Sequence, residues 1–143
     1  MSRRFVVVLA LVFFLLLLAT GIYFTQRGYQ PRTFALAITG DAGREVVGYV
    51  IVDGVKQRIE GTLPLNLPYQ GRKIEYAIAP TISDLTKSIS LVITIDGKVW
   101  GSATVGAVKG SIEHGGFPSF FGGGDSGYIG GMSDAEIAEL NKK

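Results

Sequence analysis

The chain contains no cysteine among its 143 residues. That excludes a disulfide framework, a thiolate metal site and a lipid anchor on an N-terminal cysteine. Histidine and tryptophan occur once each, as His114 and Trp100. A lone histidine without cysteine cannot supply the four-ligand set of a structural zinc site. Its neighbours Glu113 and Asp125 do not complete one, and His114 is expected to be an exposed loop residue. A Ser-His-Asp set would have to use the same histidine, and no serine sits in a nucleophile-elbow context. Glu60, Glu75 and Asp84 stand among lysines and arginines, as on a solvated strand face, so no acid/base pair is assigned. The run Gly122–Gly127 lacks the GK[ST] ending of a phosphate loop. No catalytic, cofactor-binding or metal-binding residue is therefore assigned, and the chain is expected not to be an enzyme.

Charge of one sign is scarce outside the ends. Residues 1–32 hold four arginines and no acid, whereas residues 33–114 hold eight basic and eight acidic side chains. The central region is neutral, so a nucleic-acid partner is not expected.

What the sequence does have is one long apolar run, Phe5 to Phe24, without charge or proline. At about 1.5 Å per residue a helix of this length matches the roughly 30 Å hydrocarbon core of a bilayer. Arg3 and Arg4 precede it, Tyr23 and Phe24 close it, and Arg27 follows. These five are the expected membrane-interface residues, and the positive-inside rule places the N-terminus in the cytoplasm. The expected location is a bacterial inner membrane, with one span and the remainder periplasmic. A cleaved signal peptide is the competing reading, because Ala19-Thr20-Gly21 offers small residues for cleavage after Gly21. The length of the run, continuing through Ile22, Tyr23 and Phe24, favours an uncleaved signal anchor.

After a polar connector (25–32) the hydrophobic period changes to two. Alternation and turn residues predict strands over 33–39, 45–52, 55–62, 72–79, 88–95, 98–104 and 107–113. Asp53-Gly54 and Asp96-Gly97 are each flanked by β-rich runs and predict type I′ hairpin turns. The segment from Leu63 to Pro68 carries two prolines, which restrict it to a sheet edge or a crossing loop whose leucines cover an open end of the core. About seven antiparallel strands in residues 33–114 predict an immunoglobulin-like sandwich or a small barrel.

Residues 115–131, GGFPSFFGGGDSGYIGG, are rich in glycine and are expected to lack regular structure. Their aromatics are unusual for a plain spacer. Phe117, Phe120, Phe121, Tyr128 and Ile129 are candidate partner-binding residues, with Trp100 and with Ile137 and Leu140 of the C-terminal segment. For Trp100 core packing is the simpler expectation. Over residues 132–143 Ser133 followed by Glu136 forms a capping box, and Met132 with Ile137 a hydrophobic staple, predicting a short helix.

The layout resembles the mycobacterial MmpS small membrane proteins. The resemblance rests on the strand ending at Gly40, the stretch YVIVDGVKQRIEG (Tyr49–Gly61), the Leu-Pro edge and ITIDGKV (Ile93–Val99), and it spans Thr33 to His114. It implies an extracytoplasmic β-sandwich serving a large lipid or siderophore exporter. The two cysteines of that family have no counterpart here, and Leu91 stands in place of the first. The expected function is a non-catalytic accessory subunit that stabilises or assembles a larger membrane complex (transporter, respiratory or photosynthetic). Its expected partners are the lipid bilayer and other integral membrane subunits. A tethered periplasmic ligand-binding module, or an MmpS-like transport accessory, is the alternative.

Overall fold

The computed structural model describes residues 3–28, 30–81, 87–115 and 124–142. An N-terminal helix, α1 (Arg3–Gly28), is followed by nine strands and a short helix, α2 (Asp134–Leu140). Within α1 the stretch Phe5–Tyr23 is long and apolar enough to cross a membrane, and none of it is buried against the rest of the chain. It is an N-terminal apolar helix of the kind found in signal anchors and signal sequences alike. Thr20 Oγ1 donates to the Leu16 carbonyl at 2.6 Å, so this side chain carries its own partner into apolar surroundings.

The strands are β1 (Arg32–Thr39), β2 (Glu45–Val52), β3 (Val55–Thr62), β4 (Leu65–Gly71), β5 (Lys73–Pro80), β6 (Ile89–Ile95), β7 (Lys98–Val105), β8 (Val108–His114) and β9 (Asp125–Gly131). They form two antiparallel sheets, ordered β4-β1-β6-β7 and β3-β2-β5-β8-β9. The architecture is a sandwich and not a barrel. Period-two alternation gives each sheet one apolar face, and the two apolar faces meet. Phe34, Leu36 and Ile38 of β1 and Ile89, Leu91 and Ile93 of β6 are fully buried, and they face Val50, Ile74, Ile78, Val108 and Ile112 of the other sheet.

Both Asp-Gly hairpins form as predicted. Asp53 and Gly54 have φ of 48° and 87°, Asp96 and Gly97 of 49° and 78°, the positive pair that a type I′ turn requires. The Leu-Pro segment becomes edge strand β4, with Leu63 buried and Leu65 and Leu67 packed on the core. The two additions to the seven predicted strands are β4 and β9.

β9 corrects the expectation that residues 115–131 lack regular structure, and it extends the sandwich to Gly131. Glycine is tolerated because each one faces a bulky partner. Gly127 pairs with Ile112 and Gly131 with Val108, while Ile129 pairs with Gly110. A Cβ on Gly127 would overlap the Ser111 carbonyl oxygen, so the close approach of the strands requires glycine there. The sequence also predicts a loop after Pro80 with a helical turn begun at Ser83, and that turn lies outside the described residues.

One buried polar atom has no hydrogen-bond partner among the described residues in the core itself. The Tyr76 hydroxyl is enclosed beside Gly110, and burial pushes its phenol well above the ordinary value. Tyr76→Phe removes an unsatisfied group at constant shape and is expected to stabilise the sandwich by about 1 kcal/mol. A thermal melt of the two proteins in the same detergent checks this.

Candidate site on the outer face of the five-stranded sheet

Strand register assembles a row of side chains across the outer face. Arg58 on β3 pairs with Tyr49 on β2, Tyr49 with Ala77 on β5, Ala77 with Lys109 on β8, and Lys109 with Gly130 on β9. The next row runs Lys56, Ile51, Glu75, Ser111, Tyr128. These side chains point away from the core because they alternate with buried Val50, Ile78 and Val108.

α2 lies over the neighbouring part of the same face. Ser133 caps it, with its Oγ accepting from the Glu136 N–H while the Glu136 carboxylate accepts from the Ser133 N–H at 2.9 Å. The helix buries one side chain, Ile137, against Ala79 and Ala107, with Met132 and Leu140 alongside. The small alanines let a helix sit close to the sheet. Asn141 at its end donates to the Ile137 carbonyl at 2.9 Å.

Between α2 and the sheet runs a groove of about 700 Å³. Its floor is Tyr49 and Ala77. Lys56, Arg58 and Lys109 rise from the sheet, and Glu136, Glu139 and Lys142 from the tail. Met132 and Leu140 add an apolar strip to the wall. Lys56 Nζ stands 4.3 Å from the Tyr49 ring centroid, a cation–π distance. Arg58 Nε is 2.6 Å from Glu60, and Lys109 Nζ is 2.5 Å from Glu136. Being solvated, such pairs add little stability, and they hold the groove's charges in place.

The Glu136 carboxyl is lowered to about 2, first by the Lys109 ammonium and then by the backbone and side chain of Ser133. Lys109 is raised by the same carboxylate. The sign follows from linkage. A depressed carboxylate contributes stability above its unfolded pKa, and that contribution is lost as pH falls toward the folded value. Docking of α2 is therefore expected to weaken between about pH 4.5 and 2. Protection of amides 134–140, taken relative to the intrinsic exchange rate at each pH, should fall over this window in the natural chain. Glu136→Ala, which removes both the ion pair and the capping box, should show low protection already at neutral pH.

At one end of the sandwich a second polar cluster joins the sheets. His114, the last residue of β8, is 2% exposed, which overturns the expectation of an exposed loop residue. Its Nδ1 lies 2.6 Å from Asp125 Oδ1, the residue opposite it on β9. Arg32 Nε, at the start of β1, donates toward His114 Nε2 at 3.3 Å. Arg32 also pairs with Asp96 in the β6–β7 turn, and Asp96 Oδ1 accepts the Thr33 N–H at 3.0 Å. That backbone N–H, and then Arg32, hold Asp96 below the usual carboxylate range. With Nδ1 beside Asp125 Oδ1 and Nε2 facing Arg32 Nε, both ring nitrogens of His114 have partners within the chain. The arrangement leaves no side for a substrate and reads as a tie between the sheets. His114→Ala is expected to cost about 2 kcal/mol, because Asp125 and Arg32 lose their shared partner while partly buried. The midpoint of urea unfolding measures it.

The residues singled out from sequence meet different fates. Trp100 is half-buried and packs on the core where a register shift between Ile93 and Thr94 leaves it opposite no partner. Ile129 packs on the core and approaches Gly101 of the opposing sheet. Ile137 and Leu140 are used in seating α2. Among the described partner-binding candidates Tyr128 alone is largely exposed, at 57%. Phe117, Phe120 and Phe121 lie outside the described residues, as do the side chains of Arg3, Arg4, Phe24 and Arg27. Tyr23 is exposed on α1. Sequence reasoning missed Lys56, Arg58, Lys109, Glu139 and Lys142 as a group. Their only signal was alternation along separate strands, and register across five strands is what collects them.

Among the described residues no group of three or more His, Asp or Glu is arranged to hold a metal ion. No family model matches the chain, and no curated protein matches it.

Proposed function

We propose that this chain is a non-catalytic binding protein held on a membrane by an uncleaved Phe5–Tyr23 helix, with its sandwich on the extracytoplasmic side. The groove beside α2 is its recognition surface. The observation that carries the reading is the groove itself, where polar side chains from β2, β3, β8 and α2 converge over a tyrosine-floored trough. Lying across the strands, the trough suits an extended ligand that offers acceptor groups to the lysines and an apolar edge to Met132 and Leu140.

The cysteine-free background makes a direct test possible. Single cysteines at Arg58 and Glu139 report on the groove, and one at Asn66, on the exposed side of β4, serves as control. In native membranes the two groove cysteines should alkylate several-fold more slowly than in purified protein, while Asn66→Cys reacts equally in both. Equal groove labelling in both settings would contradict the reading.

A second reading, an accessory subunit of a larger membrane complex, is favoured by a notch on α1. Phe14, Leu17, Leu18 and Ile22 surround Gly21 and leave a depression on the helix face into which another helix can pack. The resemblance to MmpS proteins supports the same class. A stoichiometric complex after gentle detergent extraction would favour it, and a clean monomer would count against it.

A further inference from the structure

The sandwich has four edge strands, and they are not alike. β3 carries Lys56, Arg58 and Glu60 along its outer face. β4 contains Pro68, which has no N–H to offer, and follows Pro64. β7 begins with Lys98 and is kinked by the irregularity at Trp100. Charge, proline and a bulge are the devices by which proteins keep edges from recruiting other strands. β9 has none of them. Its seven residues, DSGYIGG, contain no proline and no basic residue, and the one acid, Asp125, is tied to His114. Among the described residues β9 pairs with β8 and with no other strand.

We infer that β9 is a docking edge for an extended segment of another polypeptide, which would add a sixth strand to the five-stranded sheet. This surface is separate from the groove beside α2 and does not depend on it. A row of backbone N–H and C=O groups at strand spacing is complementary to an extended peptide backbone. The side chains narrow the choice further. On the core side β9 presents Gly127, Ile129 and Gly131, and β8 meets them with Ile112, Gly110 and Val108. A strand on the free side faces the same small–large–small row. It must supply a bulky aliphatic residue opposite each glycine and a small residue opposite Ile129. The expected partner motif is bulky–x–small–x–bulky, with no proline and no charge on its core-facing side. Exposed Tyr128 then gives the opposite face of the incoming strand an aromatic neighbour.

The test uses the full chain in detergent micelles and two capped heptapeptides of one composition. The first, VKGSIEH, repeats Val108–His114 and carries the motif. The second, KVGISEH, brings the two bulky residues to adjacent same-face positions and so breaks the bulky–x–small–x–bulky spacing. Peptide is added at roughly millimolar concentration, the range expected for a single short strand. The inference predicts that VKGSIEH slows amide exchange over Asp125–Gly131 several-fold, that KVGISEH does not, and that exchange over β8 is unchanged. Unaltered β9 exchange, equal slowing by both peptides, or loss of β8 protection would overturn it. So would a concentration-dependent dimer in which β9 is protected without peptide, since a second copy would then own the edge. Groove alkylation by the cysteines at Arg58 and Glu139 is read separately, so failure of either surface leaves the other result standing.

Discussion

Gly48→Ala is expected to lower the melting temperature of the sandwich by about 15 °C, a loss of about 3 kcal/mol. Gly48 sits in β2, between β3 and β5. A Cβ built there overlaps the Ala77 carbonyl oxygen and comes within 2.9 Å of Ile78 Cα. Both atoms are backbone of the neighbouring strand, so no side-chain rotation relieves the clash and the strands must part. Alanine is ordinarily the milder choice over glycine in a strand, which makes the sign diagnostic. Gly130→Ala is the matched control. Its Cβ would meet only the Tyr128 ring at 4.0 Å, an ordinary contact, and stability should hold or rise slightly. The fluorescence of Trp100, the sole tryptophan and packed on the core, follows the melt.

Phe34→Ala should cost about 4 kcal/mol, the largest single effect expected of any side-chain truncation here. Phe34 is fully buried on β1, and its register neighbours are Tyr69 on β4 and Ile95 on β6. β1 lies inside the four-stranded sheet, so the hole cannot drain to an edge. Phe34→Leu keeps most of the volume and should cost about 1 kcal/mol. A small sandwich has a net stability of roughly 5–15 kcal/mol, so the alanine variant should leave a measurable unfolded fraction in moderate urea. A truncation that left the urea midpoint unmoved would mean that the two sheets do not share the core described above.

Much of this framework was legible in local sequence. The Asp-Gly pairs fixed two hairpins because positive φ at two successive residues is a local demand that few dipeptides meet. The capping box predicted α2 for a similar reason, since Ser133 and Glu136 satisfy each other's backbone within one turn. Alternation placed Phe34, Leu36 and Ile38 on the core side without any knowledge of their partners. What escaped was information held between distant segments. β9 reads as a flexible glycine tract until Ile112 and Val108 are set opposite its glycines. His114 reads as a loop residue until that same pairing brings Asp125 beside it. Once β9 is missed, the burial of His114 and the tie through Arg32 to Asp96 are missed with it. The groove was invisible for a related reason, because no stretch of sequence contains it.

The tail also changes role. In the sequence its aromatic and aliphatic residues are candidates for binding a partner, yet Ile129, Ile137 and Leu140 are engaged within the chain. Their packing creates the groove wall and the unguarded edge. The tail completes the domain and shapes both of the surfaces proposed above for recognition.

The proposed retention of the helix, with the sandwich outside, is tested most directly by impermeant maleimide labelling of spheroplasts. Two single-cysteine chains suffice, Ser2→Cys before the helix and Ser102→Cys on exposed β7. The account predicts that Ser102→Cys reacts in intact spheroplasts, and that Ser2→Cys stays unreacted until the membrane is permeabilised, then labels a full-length membrane-bound chain. A protected Ser102→Cys, or a mature chain that has lost residue 2 and washes free of the membrane, would contradict it.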